Sequence, residues 1–337
     1  MNKLILTITI VALAGAGLWL NATQTDAALQ PEPAGHTADT QSVTAITQSP
    51  VVPESITLWG EPISLDRLDM WERLDRELSA MTYTHGTTML MLKRANRYFP
   101  VIAPILEKNG VPADMLYLAS IESSMNPKAL SPAKAAGLWQ FMPATGKEYG
   151  LEVNEWVDER YNIEKATEAA CRFLKNAYSK YGDWNSVAVS YNAGMGRISG
   201  EKKTQQQEDP FDLYLVEETS RYLFRIMAAK LIMEDPLAYG FRFRADQLYQ
   251  PVKYNTVEVN GPVTDWATWA VEHGTTYAQV REANPWIRSK SLPNKTGKLY
   301  YVKIPEQDKF YRSKQKPETF NKKWIESNTK TGSAFPR

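Results

Sequence analysis

Met115-Leu116-Tyr117-Leu118-Ala119-Ser120-Ile121-Glu122-Ser123-Ser124-Met125-Asn126-Pro127 is the stretch on which the fold turns. Apolar on nearly every side up to Ile121, it reads as a buried helix, and Asn126-Pro127 stops it because a residue before proline avoids the helical region. Glu122 falls in the last turn, with Leu118 and Ala119 at i−4 and i−3. Two effects penalise its charged form there: loss of solvent, and the negative end of the helix dipole. Helices usually end on Lys or Arg, so Glu122 breaks a local rule, and such violations concentrate at functional sites. The plainer reading, an ion pair with a surface Lys or Arg, stays open at this point.

Outward from that helix the pattern remains helical. Upstream, Leu65, Leu68, Met70, Trp71, Leu74 and Leu78 recur at three- and four-residue spacings, and Pro100, Pro104 and Gly110-Val111-Pro112 punctuate the stretch. Downstream, helical blocks continue to about residue 238. One stripe of Ile163, Ala166, Ala170, Phe173, Leu174 and Ala177 surrounds Cys171, which reads as a buried, inert thiol. No strand-like alternation precedes residue 250, so residues 58–245 are expected to be all-α. Beyond Pro251 the character changes to strand (Thr256–Val259), capped helix (Thr264 to Glu272), helix (Thr275 to Ala283) and strand (Leu299 to Ile304). Residues 252–306 thus form a small βααβ module, and 307–337 read as a frayed tail. The fold class is mainly α, an all-α domain followed by a small α+β module.

Composition bounds the chemistry. The 337 residues carry 39 Lys+Arg and 38 Asp+Glu, a net charge of +1, with 43% hydrophobic residues, which is ordinary for about two globular domains. Near-zero charge gives no reason to expect nucleic acid. Three His and one Cys make no zinc cluster at ligand spacing, no HExxH or P-loop occurs, and no metal or cofactor is expected. Met1-Asn2-Lys3 followed by the uncharged run Leu4–Leu20 and Thr25-Asp26-Ala27 reads as an export signal or an uncleaved anchor over residues 1–27. Residues 28–57, rich in Pro, Thr, Gln, Ala and Ser, read as a flexible linker.

Four further segments follow Glu122-Ser123 in order: Ser131; Gly137-Leu138-Trp139-Gln140-Phe141-Met142-Pro143; Ser190-Tyr191-Asn192-Ala193-Gly194; and Glu218-Thr219-Ser220-Arg221-Tyr222. Each alone suits a turn or a helix cap. Together, in this order and spacing over residues 110–240, they resemble the lytic transglycosylases of the goose-type lysozyme superfamily, in particular the membrane-bound lytic murein transglycosylase D branch. Ser190 stands where Ala is more frequent and Met195 where Pro is common.

The resemblance implies a lysozyme-like catalytic domain with Glu122 as the single acid/base. It implies that Ser131 and Gln140 hydrogen-bond the sugar, Met142 lines the cleft, Tyr191 and Asn192 meet the reacting sugar, and Tyr222 with Glu218 supports Tyr191 and the cleft wall. Most glycosidases use two carboxylates; here the implied reaction is non-hydrolytic cleavage between N-acetylmuramic acid and N-acetylglucosamine, giving 1,6-anhydro ends. The partner would be peptidoglycan glycan strands, the location the periplasm or cell envelope, with membrane association through the N-terminal segment. Spacing leaves Asp114, Glu148, Glu152 and Asp158 open as a second carboxylate, which would give hydrolysis. The 252–306 module resembles a LysM domain, with Asn260-Gly261-Pro262-Val263-Thr264 in place of the usual Gly-Asp-Thr-Leu start, and its Trp266, Trp269 and Trp286 read as core.

Overall fold

A computed structural model describes residues 48–325. The expected export segment, most of the linker and the last residues of the tail lie outside them. Among the described residues no helix is long and apolar enough to cross a membrane.

The described residues are mainly helical, but the first elements among them are an antiparallel hairpin, β1 (Ser55–Leu58) and β2 (Glu61–Ser64). This corrects two expectations: the linker does not extend to 57, and the first domain is not purely α. Ile56 and Leu58 alternate into the core, and the two-residue turn Trp59-Gly60 has φ of 56° and 89°, the primed geometry that suits strand twist. A tryptophan in that conformation is strained. Asp114 accepts its backbone N–H at 2.7 Å and Asn185 its indole N–H at 2.9 Å, which hold it in place.

Helices α1 (Leu68–Tyr83) and α2 (His85–Lys108) follow. Pro100 and Pro104, read as breaks, lie inside α2. They are one turn apart and both exposed, while Phe99, Ile102 and Leu106 bury the opposite face of the helix. α3 (Met115–Ser123) is nearly all core, packed between α2 and the long α8 (Glu217–Glu234). Between them come α4 (Pro143–Glu148), α5 (Ile163–Tyr181), α6 (Trp184–Ala193) and α7 (Met195–Gln205), with α6 packed against both α5 and α8. Asn162 caps the start of α5, Gly182 (φ 73°) ends it, and Asp183 caps α6 by accepting from Ser186 N–H at 2.6 Å.

The C-terminal module has the expected order: β3 (Tyr254–Val259), α9 (Trp266–Glu272), α10 (Tyr277–Ala283) and β4 (Tyr300–Pro305), with β3 and β4 antiparallel. It is not a tethered bead. Ala136, Val157 and Tyr161 of the helical domain share one apolar core with Val259, Trp266, Val280, Trp286, Ile287 and Val302 of the module. Asp158 N–H donates to Trp286 O at 2.9 Å and Arg288 N–H to Trp156 O at 2.8 Å. Lys298 pairs with Glu152 at 2.5 Å, and Lys303 with Glu164.

The expected frayed tail is also corrected. After a short turn of helix, α11 (Gln307–Phe310), the chain returns across α2. There Asn96 accepts from Phe320 N–H at 2.8 Å, and Trp324 buries its ring beside Phe99 with its indole N–H on Met233 O. Aromatic burial outweighs the entropy of a lysine-rich segment.

Candidate active site

Glu122 occupies the last turn of α3, and Ser124 and Met125 both adopt left-handed backbone (φ 49° and 55°) to turn the chain away at once. Two consecutive non-glycine residues in that region cost free energy and fix where the helix ends. Glu122 is half-buried. Its Oε1 accepts a hydrogen bond from the hydroxyl of Tyr222, which is buried on α8. Burial pushes the Glu122 carboxyl above the ordinary range; Tyr222 and the charge of Arg225 oppose this, and Glu218 adds to it. Burial, with the nearby Glu122 charge, likewise keeps the Tyr222 and Tyr191 hydroxyls protonated far above the ordinary tyrosine range. Among the described residues no Lys or Arg forms an ion pair with Glu122; Arg225 instead donates to the Ile121 carbonyl at 3.4 Å, near the negative end of α3.

Tyr191, half-buried on α6, donates to the Trp139 carbonyl at 2.7 Å and packs edge-on to Phe173 at 5.0 Å. The sequence reading had Tyr222 supporting Tyr191; instead Tyr222 reaches Glu122, and Tyr191 staples the Gly137–Met142 loop to α6. Trp139 is buried, its indole N–H on Thr167 Oγ1 at 2.9 Å. Gln140 follows in left-handed backbone (φ 47°), with Nε2 on Gly137 O at 2.8 Å. Ser131 Oγ accepts from Ala135 N–H at 3.0 Å, and Gly137 N–H donates to Ala129 O, so the Ser131 and Gln140 turns form one unit. Met142, 43% exposed, precedes α4. Asn192 Oδ1 accepts from Thr219 Oγ1 at 2.9 Å, tying α6 to α8. Glu218 is exposed in the first turn of α8.

The site therefore joins Glu122 and Tyr222 directly and places Tyr191 within electrostatic reach of both. Gln140 and Ser131 join through Trp139 and Ala129, and Asn192 through Thr219. A cavity of about 640 Å³ opens beside the end of α3, lined by Ser120, Ile121, Ser124, Glu218, Arg221 and Arg225. Another cavity, of about 920 Å³, lies elsewhere, between α2, α10 and the returning tail.

Sequence reasoning missed three contributors. Thr219 had a weak signal, standing inside a quoted motif. Arg225 had none, because its approach to α3 exists only once α8 packs. Arg160 is the organiser beneath the loop: it pairs with Asp158 at 2.7 Å and donates to the carbonyls of Lys134 (2.7 Å) and Phe141 (2.9 Å). Three of the four alternative carboxylates are held in ion pairs and the fourth is exposed. Asp114 holds Lys230 at 2.7 Å, Glu152 holds Lys298, Asp158 holds Arg160, and Glu148 is exposed at the end of α4. Among the described residues no cluster of His, Cys, Asp or Glu is arranged to hold a metal ion.

The half-buried acid at the end of α3, held by Tyr222, lies within a region that comparison with known families matches. Residues 100–213 match the transglycosylase SLT domain, and residues 255–308 match the soluble lytic transglycosylase C-terminal LysM-like domain; the chain carries both. The membrane-bound lytic murein transglycosylase D of Escherichia coli (strain K12) is 28% identical over 241 residues, covering 70% of this chain and 51% of that protein. A putative tributyltin chloride resistance protein of Alteromonas sp. (strain M-1) is 32% identical over 117 residues, 34% of this chain and 56% of that one. The chain thus spans about half the length of these relatives. The crystal structure of the 70 kDa soluble lytic transglycosylase Slt70 from Escherichia coli superposes with a TM-score of 0.34 at 22% identity, over 46% of this chain and 27% of that one.

Proposed function

We propose that this chain is a lytic transglycosylase that cleaves the β-1,4 bond between N-acetylmuramic acid and N-acetylglucosamine in peptidoglycan, working in the cell envelope. The observation that carries the reading is the Glu122–Tyr222 pair, a carboxyl pushed toward its neutral form by burial and oriented by a buried hydroxyl. Glu122 gives its proton to the glycosidic oxygen as the bond to muramic C1 breaks. The N-acetyl carbonyl of the same sugar stabilises the positive charge at C1, where other glycosidases place a second carboxylate.

Glu122, now ionised, takes the proton of that sugar's C6 hydroxyl, whose oxygen bonds to C1 and closes a 1,6-anhydro ring. Glu122 ends protonated and no water is consumed. The hydroxyl is in the same molecule, so its effective concentration is high. Ser131, Gln140, Tyr191 and Asn192 hold the sugar, Met142 forms cleft wall, and exposed Glu218 favours the neutral acid. The N-terminal segment would export or anchor the chain. Glu122→Gln keeps the side-chain volume and a carbonyl for Tyr222. It is expected to abolish release of soluble fragments from purified sacculi without loss of the cooperative melt. Substantial retained release would overturn the assignment.

A further inference from the structure

At the seam between the helical domain and the LysM-like module lies a further cavity of about 460 Å³, separate from the one beside Glu122. Lys128 and Leu130 line it from the loop that leads into Ser131, and Arg281, Glu282, Pro285 and Arg288 line it from the module. Three cations face one carboxylate. Glu282 is taken by Lys128, whereas, among the described residues, neither arginine pairs with a carboxylate. Arg281 donates to the Tyr277 hydroxyl at 2.5 Å, and Arg288 stacks over the Tyr161 ring at 4.6 Å while reaching Pro285 O at 3.3 Å. Both guanidiniums are thus held in place by neutral partners, and their charge remains available to a ligand. Beside them Leu130 is 59% exposed.

We propose that this cavity is a subsite for the peptide stem of the substrate, its carboxylates on Arg281 and Arg288 and its methyl groups against Leu130. The inference rests on the peptidoglycan reading above. The cavity adjoins that site along the chain: Leu130 precedes Ser131, and its bridge partner Ala136 lies in the shared core and precedes Gly137. The subsite is incomplete without the module, which then acts as one wall of the substrate groove. A carboxylate on an exposed arginine contributes modestly, so loss of two such contacts should weaken binding roughly five- to tenfold.

The test compares full-length wild type, Arg281→Gln/Arg288→Gln and Arg281→Lys/Arg288→Lys on two substrates: glycan strands bearing peptide stems, and strands stripped of stems by an amidase. Wild type should have the lower KM on stemmed strands. The glutamine pair should lose that preference, with the ratio of the two KM values moving roughly five- to tenfold toward one, while the lysine pair keeps it. Glutamine variants that melt like wild type and retain the preference would overturn the subsite, as would an equal rise in KM on both substrates. Product mass is read in the same digests. Hydrolysed ends with stem preference intact would sink the proposed reaction and leave the subsite standing.

Discussion

Gly137 is where the site depends most on a single missing atom. A Cβ there would lie 1.9 Å from the Arg160 carbonyl oxygen, on a residue with φ of +79°. Ordinary contact begins at 3.4 Å, so the two must separate by about 1.5 Å. Arg160 cannot readily retreat, because its side chain is pinned to Asp158, Lys134 O and Phe141 O. The Gly137–Gln140 turn must therefore move, and Gln140, bonded to Gly137 O, moves with it.

Left-handed backbone costs alanine about 1–2 kcal/mol, and overpacking about 1–3 kcal/mol. Gly137→Ala should thus destabilise by about 2–5 kcal/mol, a fall in Tm of roughly 4–15 °C for a chain of this size. An ångström of misplacement in the loop should lower kcat by about 100-fold. Gly182→Ala is the control: φ is +73°, but nothing lies within 4 Å of its Cβ, so only about 1–2 kcal/mol is expected and activity should hold. The measurements are melting by circular dichroism and turnover on sacculi. If the two variants melt alike and both retain activity, the clamped-loop reasoning is wrong.

Trp324→Ala should cost about 3–5 kcal/mol by emptying the site beside Phe99 and freeing Met233 O; a Tm within about 2 °C of wild type would mean that the tail is dispensable. Burial raises the folded-state pKa of Glu122 above its unfolded value. Its contribution to stability is then full below the unfolded pKa and lost as pH rises through the folded one. Glu122→Gln should therefore melt higher than wild type at neutral pH and converge with it near pH 4, and a pH-independent difference would contradict this. Burial pushes the Cys171 thiol up to about 12, so a thiol reagent should label the native protein at pH 8 negligibly and the denatured protein fully.

Much of this architecture is legible in the residues because local and global preferences agree. The α3, α6 and α10 segments carry their own periodicity and stops, and the βααβ order follows from alternation, Gly274 and Asn284-Pro285. What was not legible required a partner from far along the chain. The β1–β2 turn uses Trp59, which no turn rule favours and which Asp114 and Asn185 hold from a distance. Helix α2 absorbs two prolines because its opposite face is buried, and the tail folds back because Phe99 and Met233 offer Trp324 a place. The site divides the same way. Glu122 stands out as a rule-breaker within its own helix, whereas the clamp from Tyr222 and the charge of Arg225 depend on how α8 lies across α3. The seam between domains also carries a practical consequence: truncation at residue 251 would expose Ala136, Val157 and Tyr161 next to the Gly137–Met142 loop, so deletion cannot isolate a binding role for the module.

The account stands or falls on whether water enters the product. Sacculi digested by the full-length protein, with the released muropeptides weighed by mass spectrometry, should yield ends about 18 Da lighter than those left by hydrolysis, the mass of the water not added. Ends carrying that water as the primary product would contradict it and would require a second carboxylate that acts on a water molecule.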